Sequence, residues 1–306
     1  GSRCAEAQHR YKLDHEGSIV INVNSLAFQE EFALLQRREP DSVPSHLPAL
    51  DALINPAGFG RGFFITLAGL TGHGKTITAL NFCCAALRAG ESVAYCSLEM
   101  SAEAIAARYF SIVSKMPVVG LERGSFDDRI WTEAQRSSAD LPGLYFPDEI
   151  SGRYEDVVAF IRQAVEEKGA TYVILDYLQL TSVGSEQDIM RAISEVTTDL
   201  RTYAANNGIV VLVLSQFNRT TSAEFRTRPR MTGLWGGAII EQCSDCVLLL
   251  SHHAYERDDA NQCARTFIQV EKNRHGRVGD IPVLNSYSDL SQRQGMPDEI
   301  SEWPEP

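Results

Sequence analysis

From Leu47 onward, short continuous apolar runs alternate with longer stretches in which apolar residues recur every three or four positions. The runs predict strands at 63–68, 92–98, 172–176, 209–215, 245–250, 264–270 and 281–285. The periodic stretches predict helices at 76–89, 101–115, 127–139, 153–168 and 187–206. Tyr172-Val173-Ile174-Leu175 has no polar face, which suits a strand covered on both sides in a parallel sheet. Strand–helix alternation of this kind means α/β, a mostly parallel sheet with helices on both faces. The last three strands have no long helix between them and predict an antiparallel extension at the C-terminal end.

The flanks read differently. Residues 1–17 are polar, and Ser25 to Arg38 carries Leu26, Phe28, Phe32 and Leu35 at helical spacing. Pro40, Pro44 and Pro48 follow as a linker. The expected organisation is an N-terminal segment over 1–45 with a helix at about 25–38, a core over 46–286, and a polar, disordered tail over 287–306. With 306 residues, 44% of them hydrophobic, the chain is long enough for one large α/β domain. No apolar run approaches the ~18 residues of a spanning helix, and no signal peptide is expected. Gly1-Ser2 reads as a cleaved-tag scar, which would make the chain a fragment of a longer protein.

A net charge of −12 argues against wrapping duplex DNA around the outside, yet leaves room for a narrow basic channel. The seven cysteines form no spaced framework, which points to a reducing compartment and thiols acting as small hydrophobes. Cys243-x-x-Cys246 near His252 and His253 matches a zinc half-site. However, Cys246 runs into Val247-Leu248-Leu249-Leu250, a buried-strand pattern, and no second pair lies nearby.

The chemistry begins at Gly69-Leu70-Thr71-Gly72-His73-Gly74-Lys75-Thr76. This fits G-x-x-x-x-G-K-[ST], between a predicted strand and a predicted helix. Such a loop aims backbone N–H groups and the positive helix end at an anion. Lys75 would neutralise the β- and γ-phosphates of ATP or another NTP, and Thr76 would hold Mg²⁺. Ligands gather at the carboxyl ends of strands in such a sheet. There stand Asp176, a second Mg²⁺ ligand by pattern; Glu99, placed to polarise an attacking water or merely to favour the next helix; and Gln216, a γ-phosphate sensor or a loop-satisfying amide. After strand 264–270 come Lys272 and Arg274, two apart and so on one side of an extended segment. They suit a phosphate supplied by a neighbouring subunit, or form a solvated basic turn.

Taken in order, these motifs resemble the RecA-like motor domain of DnaB-type hexameric replicative helicases, a group that includes phage helicase–primases and the mitochondrial Twinkle helicase. The likeness runs from about Leu47 to Leu284. Ser97-Leu98-Glu99-Met100-Ser101-Ala102-Glu103 with Arg108 is similar to the family's second motif, and Leu175-Asp176-Tyr177-Leu178-Gln179-Leu180 to its Walker B segment. Val213 to Arg219 is similar to the third motif, and Gly237 to Gln242 with Asp245 to the fourth. The resemblance implies Glu99 as catalytic base, Gln216 as γ-phosphate sensor, and Lys272 and Arg274 as fingers acting in trans. Departures are present: Gly233-Leu234-Trp235 stands where the family has Asp-Leu-Arg, and His252-His253-Ala254 replaces Arg-Asp-Glu. The family's N-terminal helical domain has no counterpart here, and Ser25 to Arg38 resembles its linker helix.

In a ring, the loop after Gln216 would face the central channel. It holds Arg219, Arg226, Arg228 and Arg230 against an acidic background, a path for single-stranded DNA or a basic surface loop. Trp235 would stack on a base or pack in the core, and Gly236 and Gly237 would let backbone N–H groups approach phosphates. The resemblance further implies a homo-hexamer, single-stranded DNA, a primase or helicase loader as partner, no membrane, 5′ to 3′ movement, and a bacterial or phage cytoplasm or an organelle matrix. The competing readings are a RecA- or KaiC-like oligomeric ATPase that does not unwind, and a module that binds nucleotide only to assemble.

Overall fold

A computed structural model of the protein describes residues 12–13, 19–20, 41–54, 58–139, 141–148, 151–176, 178, 186–217, 229–251 and 263–295. The chain falls into two units, residues 1–41 and 42–306. Of the first, strands β1 (Lys12–Leu13) and β2 (Ile19–Val20) pair antiparallel. The helix expected at 25–38 lies outside the described residues.

The second unit is built on one sheet. Its strands are β5 (Phe64–Gly69), β6 (Val93–Ser97), β7 (Leu144–Tyr145), β8 (Tyr172–Asp176), β9 (Val210–Gln216), β10 (Cys246–Ser251), β11 (Cys263–Asn273), β12 (Gly279–Ser286) and β13 (Gln292–Gln294). They lie in the order β13-β12-β11-β10-β5-β9-β8-β6-β7. The six from β10 to β7 are parallel, and β11, β12 and β13 run antiparallel. A mostly parallel sheet with an antiparallel extension is what the apolar pattern predicts. A separate pair, β3 (Ser42–Val43) and β4 (Phe59–Gly60), flanks helix α1 (Pro48–Ile54).

Successive side chains on a strand point to opposite faces, and here both faces are covered. Ile65, Leu67, Ile174, Leu212 and Leu214 pack on one side with α2 (Lys75–Arg88) and α3 (Ala102–Ser114). Phe64, Ala68, Val173, Leu175 and Val211 pack on the other with α6 (Tyr154–Lys168) and α7 (Glu186–Asn207). Each fully buried Leu, Ile or Phe contributes about 1.5–3 kcal/mol. α2 begins at Gly74, in the left-handed region at φ 82, and no side chain caps it. α3 begins at Ser101, whose hydroxyl accepts from the Ala104 N–H at 3.3 Å.

The pattern misses α1, β7, α4 (Val118–Glu122) and α8 (Gly237–Cys243), each too short to establish a period; α5 (Asp128–Ala139) is where it was expected.

The tail needs correction. Residues 287–295 are not loose: β13 extends the sheet, and Gln292 is buried. Gln292 donates its backbone N–H to Asn81 Oδ1 at 3.0 Å and its amide to Thr78 Oγ1 at 3.0 Å and Asn285 Oδ1 at 2.8 Å. Asn81 in turn donates to the Leu290 carbonyl at 3.0 Å. Paired polar groups can be buried at little net cost, so polarity alone was the wrong guide.

His46 adopts φ 74 and lies beside Phe82 at a ring separation of 5.7 Å. Burial is the main cause that lowers its pKa from 6.5 to about 4; the Ser45 backbone opposes it, and the charges of Arg88 and Lys115 add to it. A depressed folded pKa means that the unfolded chain takes up the proton first as pH falls. The stabilising contribution is therefore complete above pH 6.5 and is lost on the way down to about 4, a difference of about 3 kcal/mol. His46→Asn keeps a residue tolerant of the left-handed region. Denaturant midpoints taken across that pH range should slope for the natural chain and flatten, relative to it, for the variant.

Candidate nucleotide-binding site

The phosphate-binding loop joins the end of β5 to the start of α2, as the motif requires. Gly72 and Gly74 take φ 81 and 82, where a side chain is strained even though the space is open. The first turn of a helix leaves N–H groups without helical partners, and with Gly74 as an uncapped start they are available to an anion. Thr71 and Gly72 are exposed. Lys75 is only 8% exposed. Its ammonium donates to the carbonyls of Gly69 at 3.0 Å and Leu70 at 3.2 Å. Burial lowers its pKa, while the charges of Asp176 and Glu99 oppose that shift. His73 Nδ1 lies 3.4 Å from the Leu250 carbonyl.

Asp176, at the carboxyl end of β8, is 2% exposed. Its Oδ2 accepts from the Thr76 hydroxyl at 2.9 Å and the Tyr95 hydroxyl at 3.0 Å. Burial raises its pKa; Thr76 and Tyr95 pull the other way, the Glu99 charge adds to the rise, and Lys75 opposes it. A hydroxyl and a carboxylate in contact are hard oxygen donors suited to Mg²⁺. Among the described residues no cluster of three His, Cys, Asp or Glu forms a cage of its own. Tyr95 was missed from the sequence because it sits mid-strand and reads as core.

Glu99 follows β6, is exposed, and is near enough for both Lys75 and Asp176 to feel its charge. It lines a cavity of about 270 Å³ with Ser101, Glu103, Phe146 and Asp148. The turn that carries it is held by Leu98 N–H to the Asp176 carbonyl at 2.6 Å and Met100 N–H to Ser97 Oγ at 3.0 Å. Gln216 ends β9 directly beside Gly69. The structure thus brings Lys75, Thr76, Asp176, Glu99 and Gln216 to one edge of the sheet.

Lys272 and Arg274 are at the other edge. β11 pairs antiparallel with β10, and Asn273 stands opposite Cys246, itself level with Ile65. Gly69 is four residues further along β5, about 13 Å away at the usual rise per residue. The Lys272 ammonium donates to the carbonyls of Glu241 and, at 2.8 Å, Ser244. Arg274 donates to the Gln242 carbonyl and, at 3.4 Å, to Asp245 Oδ1. Cations here complement the carboxyl end of α8.

Of the proposed DNA contacts, Arg219, Arg226 and Arg228 lie outside the described residues; Arg230 is exposed. Trp235 is partly buried and packs on the core, so of its two expected roles the structure favours packing. The two glycines are both closely packed. Gly237 donates its N–H to the Leu234 carbonyl at 3.1 Å. Gly236 is buried at φ 70, where a Cβ would approach Ile193 Cγ2 to 2.8 Å; at Gly237 one would approach the Met231 carbonyl to 2.8 Å. Close packing accounts for both. Of the zinc half-site, His252 and His253 lie outside the described residues; Cys246 is buried in β10, and burial pushes its thiol well up.

These features agree with the comparisons. A family described as the DnaB-like helicase C terminal domain matches residues 42–289. The replicative DNA helicase DnaB of Geobacillus stearothermophilus is 28% identical over 293 residues, 91% of this chain and 64% of that protein. The chain thus spans less than two thirds of that relative. A structure described as the ATPase domain of G40P superposes with a TM-score of 0.74 at 21% identity, over 90% of this chain and all of the other. A DnaB-like replicative helicase, described together with its interactions with primase, gives 0.74 at 22% over 90% of this chain and 68% of the other. The RecA-like architecture is therefore shared, and, through a family match over most of its length, the chain belongs to the DnaB-like helicase C-terminal domain family.

Proposed function

We propose that this chain is the motor of a DnaB-type replicative helicase: an ATPase that works as a homo-hexameric ring, translocates on single-stranded DNA and unwinds duplex during replication. One observation carries the reading. The cations suited to a transition-state phosphate, Lys272 and Arg274, are at the sheet edge away from Lys75, so a complete site needs two copies of the chain. A ring supplies that pairing at every interface.

In this mechanism the first-turn N–H groups of α2 and Lys75 hold the triphosphate. Thr76 and Asp176 would hold Mg²⁺, which would supply positive charge against the triphosphate. Glu99 takes a proton from the attacking water as it adds to the γ-phosphorus and the bond to the bridging oxygen breaks. Lys272 and Arg274 of the adjacent copy stabilise charge on the transferring group. Gln216, level with Gly69, senses whether the γ-phosphate is there and passes that state to the loop that begins at Phe217 and ends at Leu234, where the two pair in a β-bridge. Arg219, Arg226, Arg228 and Arg230 on that loop would grip the DNA backbone. By family resemblance movement is 5′ to 3′, a primase or loader is the partner, and the compartment is a bacterial or phage cytoplasm. No helix among the described residues is long and apolar enough to cross a membrane.

Lys75→Ala should abolish hydrolysis. Glu99→Gln should lower kcat by about 10²–10⁴ with nucleotide affinity retained. Arg274→Ala should lower kcat by about 10³ or more, again with nucleotide bound, and full activity there would remove the trans arrangement. On a forked duplex the natural chain should unwind; DNA-stimulated hydrolysis without unwinding would point instead to an oligomeric ATPase of RecA or KaiC type.

A further inference from the structure

The fourth motif ends in a carboxylate that the mechanism so far leaves unused. Asp245 is 2% exposed, at the foot of β10. Its Oδ2 accepts the Phe64 N–H at 2.9 Å, and Oδ1 faces Arg201 at 3.1 Å, Arg274 at 3.4 Å and His275 at 3.8 Å. A buried carboxylate is costly unless it is paired. Arg201 and the Phe64 N–H already provide that pairing, and Arg201 is itself anchored on the Gly62 carbonyl at 3.0 Å. Arg274 is the longer, more open contact, with its side chain 41% exposed.

The backbone under Arg274 is fixed independently. Its N–H donates to the Asp245 carbonyl at 2.8 Å, and the Arg277 N–H to the Leu53 carbonyl at 2.9 Å. Asn273 donates to that same carbonyl at 2.9 Å, and His275 stacks on Phe63 at 4.4 Å. A Cβ at Gly276 would fall 2.2 Å from the Leu53 carbonyl oxygen. The platform is rigid, and what remains adjustable is the direction of the guanidinium. That group is a planar fork with donors on more than one edge. One edge is engaged by Asp245 and the Gln242 carbonyl.

We propose that Asp245 is the positioning residue for Arg274: it grips one edge of the guanidinium so that another faces outward, oriented for a phosphate bound by a neighbouring copy. This role rests on the trans arrangement of the proposed motor. It is the logic of a base held by a third group, transferred to a cation.

Asp245→Asn keeps an acceptor for the Phe64 N–H and removes the charge that orients the guanidinium. DNA-stimulated kcat should fall roughly tenfold or more, as when a charge-assisted contact that fixes geometry is lost, with KM and ring formation unchanged. Arg274→Lys, on the exposed side of the pair, keeps the charge but loses the fork, and should fall similarly. A merely structural defect would not be cured in trans. An equimolar mixture of Asp245→Asn with Lys75→Ala subunits, whose fingers are intact, should hydrolyse faster than either parent, as should Arg274→Ala with Lys75→Ala. Full activity in Asp245→Asn or in Arg274→Lys overturns the inference. So does complementation by Arg274→Ala but not by Asp245→Asn. Full activity of Arg274→Ala alone would instead overturn the trans arrangement beneath it.

Discussion

One reversal of strand direction governs the function of this molecule. From β10 to β7 every strand runs the same way, so every carboxyl end, with Gly69, Asp176 and Gln216, reaches one edge of the sheet. β11 turns back against β10 and delivers Lys272 and Arg274 to the other edge. A rigid sheet cannot bend to bring the two sets together, because the hydrogen-bonded register and both packed faces fix the separation. The same fold that builds the phosphate cradle thereby keeps Lys272 and Arg274 out of reach of the cradle in their own chain, and in the proposed ring a second copy would supply them.

The cradle itself was readable because its chemistry is local. Eight consecutive residues, Gly69 to Thr76, encode the loop, and an apolar strand ending in Asp encodes its partner. The strands were equally plain, since a fully covered sheet leaves almost no polar residue in Tyr172–Asp176 or Cys246–Ser251. What escaped the sequence depends on partners far away along the chain. Tyr95 looks like any core residue until its hydroxyl is seen on Asp176, 81 positions on. Asp245 stands out in the sequence as part of the fourth motif, but its contacts with Phe64 and Arg201 do not. The C-terminal strap misled for the opposite reason: Gln292 is polar, but its backbone N–H and amide NH₂ are taken up by Asn81, Thr78 and Asn285. Glycine was ambiguous too, since Gly74 answers to backbone conformation for a ligand and Gly236 to the close approach of Ile193.

Burial at the site sets stability against activity. Burial raises the pKa of Asp176 and lowers that of Lys75, pressing each toward its neutral form, and the charge of each opposes the shift of the other. Each relieves the other, and a bound Mg²⁺–triphosphate would relieve both.

The two edges of the sheet are also tied within one chain. Gln216 lies beside Gly69 and leads into the loop that closes at Leu234. Trp235 donates its N–H to the Gln216 carbonyl at 3.4 Å, and α8 starts two residues later. The carboxyl end of α8 then holds Lys272 and Arg274 through the carbonyls of Glu241, Gln242 and Ser244. In the proposed ring, a shift of α8 would carry both cationic side chains with it, toward or away from the site of the next copy. A short helix of two turns is well suited to carry such a shift. It is stiff along its axis, and Gly236 lets its start pack tightly on Ile193 while the chain turns into it. Coupling of this kind would act through contacts rather than distance, and in the proposed motor it would link the nucleotide behind the loop to the one beyond the interface.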